Sequence, residues 1–265
     1  MTSDDTVELG SREHYLDAAL YDYEYRRRRA DVTFYRQLAS RRAPRRILEL
    51  GAGSGRVTIP LARDGFEVVA VDRAPAMLDL LRARVAKLPA AARRRVTIVE
   101  GDLRDFDAGG RFPLAIAAFN VVEHLYTRAE VDVCLRRVAA HLAPRGAFAF
   151  DVQLPDLAWL LRDPRKRWAK TRFTDPTTGR RLQYSTSHDY DPVSQIVVIR
   201  LHYDPLDGKG DARVVTLTQR KFFPAELEAL VAHAGLRVVE RYGDFLWGPL
   251  VGAAESQVLV CERRR

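Results

Sequence analysis

Two cysteines in 265 residues are too few for a disulfide framework. Both Cys134 and Cys261 sit in apolar or helix-like surroundings that suit buried, reduced thiols. No apolar run reaches the eighteen or so residues a membrane-crossing helix needs, and the acidic, polar start Met1-Thr2-Ser3-Asp4-Asp5 carries no apolar signal core, so a cytoplasmic protein is expected. Histidines at H-x-x-x-H spacing and a C-x-x-C pair are also missing, so no zinc site is expected. Acidic residues are the minority charge, 35 against 43 Lys+Arg, for a net +8. The excess is spread over short arginine runs, Arg26–Arg29, Arg93–Arg95 and Arg263–Arg265, and scattered runs do not make a nucleic-acid stripe.

What is present is a strand, a glycine loop and a helix. Ile47–Leu50 is β-compatible, Gly51-Ala52-Gly53-Ser54-Gly55 permits a tight turn, and Val57–Ala62 reads as a helix. The loop is not a dinucleotide fingerprint, because Arg56 stands where G-x-G-x-x-G wants glycine and Gly55 comes one residue early. It is not a P-loop either, for no G-K-[ST] follows. Glu49 adds a physical objection to any phosphate ligand, since a carboxylate at the loop mouth repels what a helix N-terminus attracts. A ligand bearing an ammonium and a sulfonium tolerates that charge.

Short strands and longer helices then alternate. Phe66–Val71, Val96–Val99, Leu114–Phe119 and Ala147–Asp151 read as strands, with helices over 74–88 and about 128–142 between them. Such alternation argues for a doubly wound parallel sheet. Asp72 at the tip of the second strand can accept two hydrogen bonds from ribose hydroxyls, a use shared with nicotinamide-binding folds. The alternation stops after Leu154-Pro155-Asp156. Strand-like runs over 181–190, 195–203 and 213–222, separated by Asp191-Pro192 and the 204–210 turn, predict an antiparallel insert. Pro224 starts a helix that Gly235 caps, and 236–242 and 257–261 supply two last strands. Residues 12–41 read as helical and rich in aromatics, with Asp31 as N-cap of a helix over 32–40.

The pattern Glu49-x-Gly51-x-Gly53-x-Gly55 after a strand, with Asp72 and then Gly101-Asp102-Leu103 in order behind it, resembles the class I S-adenosylmethionine-dependent methyltransferases. The antiparallel insert and the segment Phe223–Leu236 resemble the glycine/sarcosine and amino-sugar N-methyltransferases in architecture. The resemblance implies an α/β, Rossmann-like, seven-stranded and mostly parallel sheet with an antiparallel β insertion after the fifth strand and N-terminal lid helices. It divides the chain into a lid (1–43), a cofactor domain (44–160 and 223–265) and an acceptor-binding insertion (161–222). It implies S-adenosylmethionine as cofactor, held by Tyr21, Arg28, Glu49, Gly51, Ala52, Gly53, Asp72, Arg73, Met77, Gly101, Asp102, Leu103, Phe119 and Asn120, with Tyr25 as a further lid candidate.

The methyl acceptor is expected beyond the fourth strand, at Asn120-Val121-Val122-Glu123-His124-Leu125. His124 is the candidate base, because an unperturbed imidazole titrates near neutral pH, with a structural role weighed equally. Glu123 would pair with an ammonium or simply begin the next helix. His188 and His202, on insert strands, and the aromatic loop Tyr242, Phe245 and Trp247 either face a pocket or pack the core. The expected activity is methyl transfer to oxygen or nitrogen of a small molecule. Its rivals are an RNA methyltransferase, opposed by missing base-flipping signatures and RNA-binding modules, and a non-catalytic binding protein. A homodimer through the insertion is left open.

Overall fold

A computed structural model describes residues 3–208 and 210–264 of the chain. Met1 and Thr2 of the acidic start, Lys209 of the predicted turn and Arg265 of the last arginine run lie outside them. Among the described residues eleven strands follow in order: β1 (Arg46–Leu50), β2 (Glu67–Asp72), β3 (Val96–Glu100), β4 (Phe112–Ala117), β5 (Leu142–Gln153), β6 (Trp168–Thr174), β7 (Arg181–Asp191), β8 (Ile196–Pro205), β9 (Arg213–Arg220), β10 (Leu236–Tyr242) and β11 (Ser256–Arg263). They form a seven-stranded sheet, β10-β11-β5-β4-β1-β2-β3, and a four-stranded sheet, β6-β7-β8-β9. The chain divides into two compact units, Arg28–Leu154 with Phe222–Arg265, and Met1–Arg27 with Pro155–Lys221.

In the first unit β1 to β5 are parallel, and only β11 runs antiparallel, between β5 and β10. Both faces of this sheet are covered, which is why its strands read as continuous apolar runs and not as alternating ones. Along β5, Phe148 and Phe150 point to one face, where helices 128–141 and 224–233 place Val131, Leu135, Leu227 and Val231. Ala147 and Ala149 point to the other, and their small side chains leave room for Phe34, Tyr35 and Leu38 of helix 30–42. That helix therefore belongs to the sheet unit, and the expected lid boundary at residue 43 falls instead after Arg27.

Four local expectations are corrected. Asp31 does not cap helix 30–42; Arg29 holds that position, while Asp31 is buried in the first turn. β4 stops at Ala117, two residues early, because Phe119 and Asn120 have φ of 69° and 61°. β5 begins at Leu142, since Leu142 already pairs with Phe112 and the 143–146 stretch forms an irregularity inside the strand. The helical stretch 12–41 is broken into a turn at 13–15 and helices 18–25 and 30–42, with residues 26–29 between the last two.

In the second unit β7 pairs with β8 from Leu182–Pro205 to Asp191–Ile196, and β9 follows in antiparallel register. Leu182, Val197, Ile199, Leu201, Tyr203, Val215 and Leu217 form its core together with Leu20 and Leu160. β6 was not anticipated: Trp168–Thr174 is largely exposed and lacks a clean alternation. Tyr21 packs on His14, Tyr15 and Tyr25, and Glu24 accepts a 2.6 Å bond from the Tyr203 hydroxyl. His188 and His202 are both buried; His188 stacks on Trp159 and His202 Nε2 lies 3.0 Å from Ser187 Oγ. Among the described residues no helix is long and apolar enough to cross a membrane.

Candidate functional site

The strand order reverses at β1, with β2 and β3 on one side and β4 and β5 on the other. In open α/β sheets ligands bind beyond the carboxyl ends of the strands at such a reversal. The glycine loop leaving β1 and the 118–124 segment leaving β4 flank that point.

The loop is built from its backbone outward. Gly51 has φ +65°, and a Cβ there would lie 2.4 Å from Val121 Cγ2, so both conformation and space require glycine. Gly53 is different: φ is +53°, yet an added Cβ would meet nothing within 4 Å. The loop thus leaves open space over Gly53, into which a methyl group would project. Asp72, at the end of β2, fixes this shape. Its Oδ2 accepts the Gly53 N–H at 2.7 Å and its Oδ1 accepts the Ala74 N–H at 2.8 Å. The Arg73 N–H is a third backbone donor, and since a carboxylate has about four acceptor sites, Asp72 keeps capacity for a further one. Burial raises its pKa, and the backbone N–H bonds of Ala74, Gly53 and Arg73, with the Arg73 charge, oppose the rise.

Glu49 does not stand open at the mouth as its place before the loop suggested. It is 2% exposed and accepts a 2.6 Å bond from the Thr58 hydroxyl, tying β1 to helix 58–63. Burial pushes its pKa up to about 7 against that hydrogen bond. Asp102 is a partner for arginine first: Arg104 reaches it in a fork at 2.6 and 2.9 Å, and Arg73 Nη1 lies at 3.2 Å. Burial alone would raise the Asp102 pKa; the Arg104 and Arg73 guanidinium groups outweigh it and hold the carboxyl below its usual range. Arg104 also donates to Glu130 at 2.6 Å, and Glu130 completes a capping box with Thr127 at the start of helix 128–141. Met77 is 1% exposed, and Leu103 packs against the main core cluster.

Beyond β4, Phe119 and Asn120 are consecutive left-handed residues. Arg56 lies over the Phe119 ring at 4.5 Å, donates to the Arg28 carbonyl at 3.1 Å, and forks onto Asp31, one arm at 2.9 Å. Arg28 Cζ is 5.8 Å from the same ring. Glu123 is fully buried, and its Oε1 accepts the Gln153 N–H at 2.7 Å, so it braces the loop to β5 instead of facing an acceptor. His124 is partly exposed, with Nδ1 3.3 Å from the Tyr126 hydroxyl. Phe245 and Trp247 pack against Phe34, which puts that aromatic loop on the sheet core.

Sequence reasoning overlooked three participants: Tyr35, Asp151 and the Arg56–Asp31 pair. Asp151 carried a usable signal, an acid closing the apolar run Phe148–Phe150 in the way that Asp72 closes β2.

An acidic, glycine-lined cradle with no phosphate-binding lysine fits a nucleoside that offers hydroxyls and positive charge. The chain's relatives agree. A methyltransferase-domain family matches residues 47–146. The chain is 34% identical over 223 residues to a cypemycin N-terminal methyltransferase from a Streptomyces species, covering 83% of this chain and 84% of that one. It is 27% identical over 203 residues to the dTDP-3-amino-3,4,6-trideoxy-alpha-D-glucopyranose N,N-dimethyltransferase of Streptomyces venezuelae, covering 72% and 75% of the two chains. Among solved structures, the CcbJ methyltransferase of Streptomyces caelestis superposes with a TM-score of 0.78 at 27% identity, over 96% of this chain and 99% of that one. With its Rossmann-like sheet, its glycine cradle and these relatives, the chain belongs to the class I methyltransferases, enzymes that use S-adenosylmethionine.

Proposed function

We propose that this enzyme methylates the nitrogen of a small-molecule amine. The observation that carries the reading is the similarity, over 83% and 72% of this chain, to a protein named as a cypemycin N-terminal methyltransferase and to one named as an amino-sugar N,N-dimethyltransferase, the second name specifying nitrogen. S-adenosylmethionine supplies an activated methyl group on its sulfonium. What remains for the protein is to hold the acceptor nitrogen in line and to take up its proton, and positioning alone is worth on the order of 7–11 kcal/mol in favourable cases.

The loop Gly51-Ala52-Gly53 with Asp72 is assigned to the cofactor's sugar and amino-acid portions, Gly101, Asp102 and Leu103 to its base, and Phe119 and Asn120 to the donor end. Glu49 and Met77 act from behind, by holding the loop and the helix that follows β2, and Arg73 acts through Asp102. Arg28 is assigned to the entrance, whereas Tyr21 belongs to the other unit, where it packs on His14, Tyr15 and Tyr25. His124, partly exposed beside the Tyr126 hydroxyl, is the group assigned to accept the proton from the amine.

An RNA acceptor is not the reading favoured here. Several arginines are paired with acids one to one, as in Arg36 with Asp64, Arg42 with Glu240 and Arg136 with Asp132, and the cationic runs are scattered along the chain. We also propose a cytoplasmic setting, supported by the buried thiols of Cys134 and Cys261, and a homodimer formed through β6, an exposed edge strand that among the described residues pairs only with β7.

The test uses methyl-labelled S-adenosylmethionine with a panel of free-amine peptides, nucleotide-linked amino sugars, hydroxylated analogues and bulk tRNA. Label attached to nitrogen, located by NMR, supports the proposal; transfer confined to oxygen or to RNA contradicts it. His124→Ala is expected to lower turnover while leaving S-adenosylhomocysteine affinity nearly intact, and equal losses in both would remove the base assignment.

A further inference from the structure

The carboxylate of Asp151, 2% exposed near the end of β5, is the convergence point of three donors from two other elements. Its Oδ1 accepts the Phe119 N–H at 2.9 Å and the Tyr35 hydroxyl at 2.6 Å, and its Oδ2 accepts the Asn120 N–H at 3.0 Å. The two backbone donors are those of the consecutive left-handed residues, at φ 69° and 61°. Side chains with a Cβ disfavour that conformation, and a pair in succession persists only where the surroundings enforce it. Left-handed geometry turns both N–H groups toward the same side, where a single buried anion can take both. Glu123 closes the brace from the other direction, since its carboxylate holds the Gln153 N–H of the same strand end.

We propose that Asp151 is a positioning residue of the methyltransferase site: it clamps Phe119 and Asn120 in the left-handed backbone that sets the floor beyond β4, where donor and acceptor meet. This rests on the family assignment, not on the acceptor's identity. The clamp also links the site to helix 30–42 through Tyr35. Phe119 in turn lies under Arg56, whose partner Asp31 is on that helix, so the helix is linked to the loop twice, through Asp151 and through Arg56. Burial pushes the Asp151 pKa up to about 6, and the Tyr35, Phe119 and Asn120 bonds resist the rise, as befits a carboxyl kept ionised at neutral pH to receive three donors.

Asp151→Asn keeps the shape but turns an amide NH2 toward one of the donors. With S-adenosylhomocysteine as the probe in isothermal titration, the variant is expected to bind on the order of tenfold or more weakly. The decisive readout is rescue. Asn120→Gly, which makes the left-handed conformation inexpensive, is expected to restore most of the affinity in the Asp151→Asn background. A purely structural deficit in the core would not respond to a glycine at 120. Wild-type affinity in Asp151→Asn, or a loss that Asn120→Gly leaves unchanged, overturns the proposal. If Asp151→Asn does not fold, Tyr35→Phe takes its place: it removes one donor and leaves the carboxylate, and a several-fold fall in affinity is expected where no change would refute the clamp. Failure of the wild-type protein to bind the probe would instead count against the cofactor assignment itself.

Discussion

Replacing Gly53 with alanine separates a cost to the fold from a cost to the ligand. The residue sits at φ +53°, and an added Cβ meets no protein atom within 4 Å. The penalty to the folded state is therefore conformational alone, about 1–2 kcal/mol for a left-handed alanine, offset by roughly 0.4–1 kcal/mol from a less flexible unfolded chain. A net loss near 1 kcal/mol lowers Tm by about 2–4 °C. If the open cradle is where the cofactor lies, the same methyl group intrudes on it, and overpacking of that kind costs about 1–3 kcal/mol, or roughly 5- to 150-fold in affinity. Gly109→Ala is the matched control. Gly109 has φ +62° and equally open surroundings, but it precedes β4, at the end of the strand away from the site. Differential scanning fluorimetry should give similar Tm shifts for the two variants, and titration with S-adenosylhomocysteine should show weakened binding only for Gly53→Ala. Equal affinities in the two variants would refute the placement of the ligand over Gly53.

Two further outcomes follow from the buried acids. Asp72→Asn retains one oxygen for the N–H groups of Gly53 and Ala74 and opposes the other with an NH2, leaving a buried donor unmet at about 1–3 kcal/mol; S-adenosylhomocysteine affinity should fall by about tenfold or more, and an unchanged Kd would move the loop's anchor elsewhere. Glu49 has a pKa raised by burial to about 7 from 4.5, so the folded state favours its neutral form, and the stability this gives is present below about pH 4.5 and lost as pH rises through 7. Glu49→Gln, which cannot ionise, should match wild-type Tm near pH 4 and exceed it increasingly up to pH 8.5; a difference that stays flat with pH would show that Glu49 is not a buried acid.

The sheet was legible because its strands are buried on both faces, which makes runs such as Val68–Val71 and Phe148–Phe150 apolar without interruption. The glycine loop and Asp72 were legible because turn geometry restricts residue choice. Side-chain partners were not. Nothing local in Asn120-Val121-Val122-Glu123 distinguishes an exposed acid from one buried against β5, since Gln153 is thirty positions away. Asp102 likewise gives no sign in isolation that Arg104 and Arg73 claim its oxygens. Asp31 satisfied the residue preference for a helix cap, but its long-range ion pair with Arg56 draws it into the first turn. β6 escaped notice because an exposed edge strand carries no apolar period.

The central claim, that the Gly51–Gly55 loop with Asp72 holds a phosphate-free nucleoside carrying positive charge, is tested most directly by calorimetric titration of the purified chain with S-adenosylmethionine and, under identical conditions, with NAD. Saturable one-to-one binding of the first and no measurable binding of the second is predicted. Binding of NAD, or no binding of S-adenosylmethionine, would contradict it.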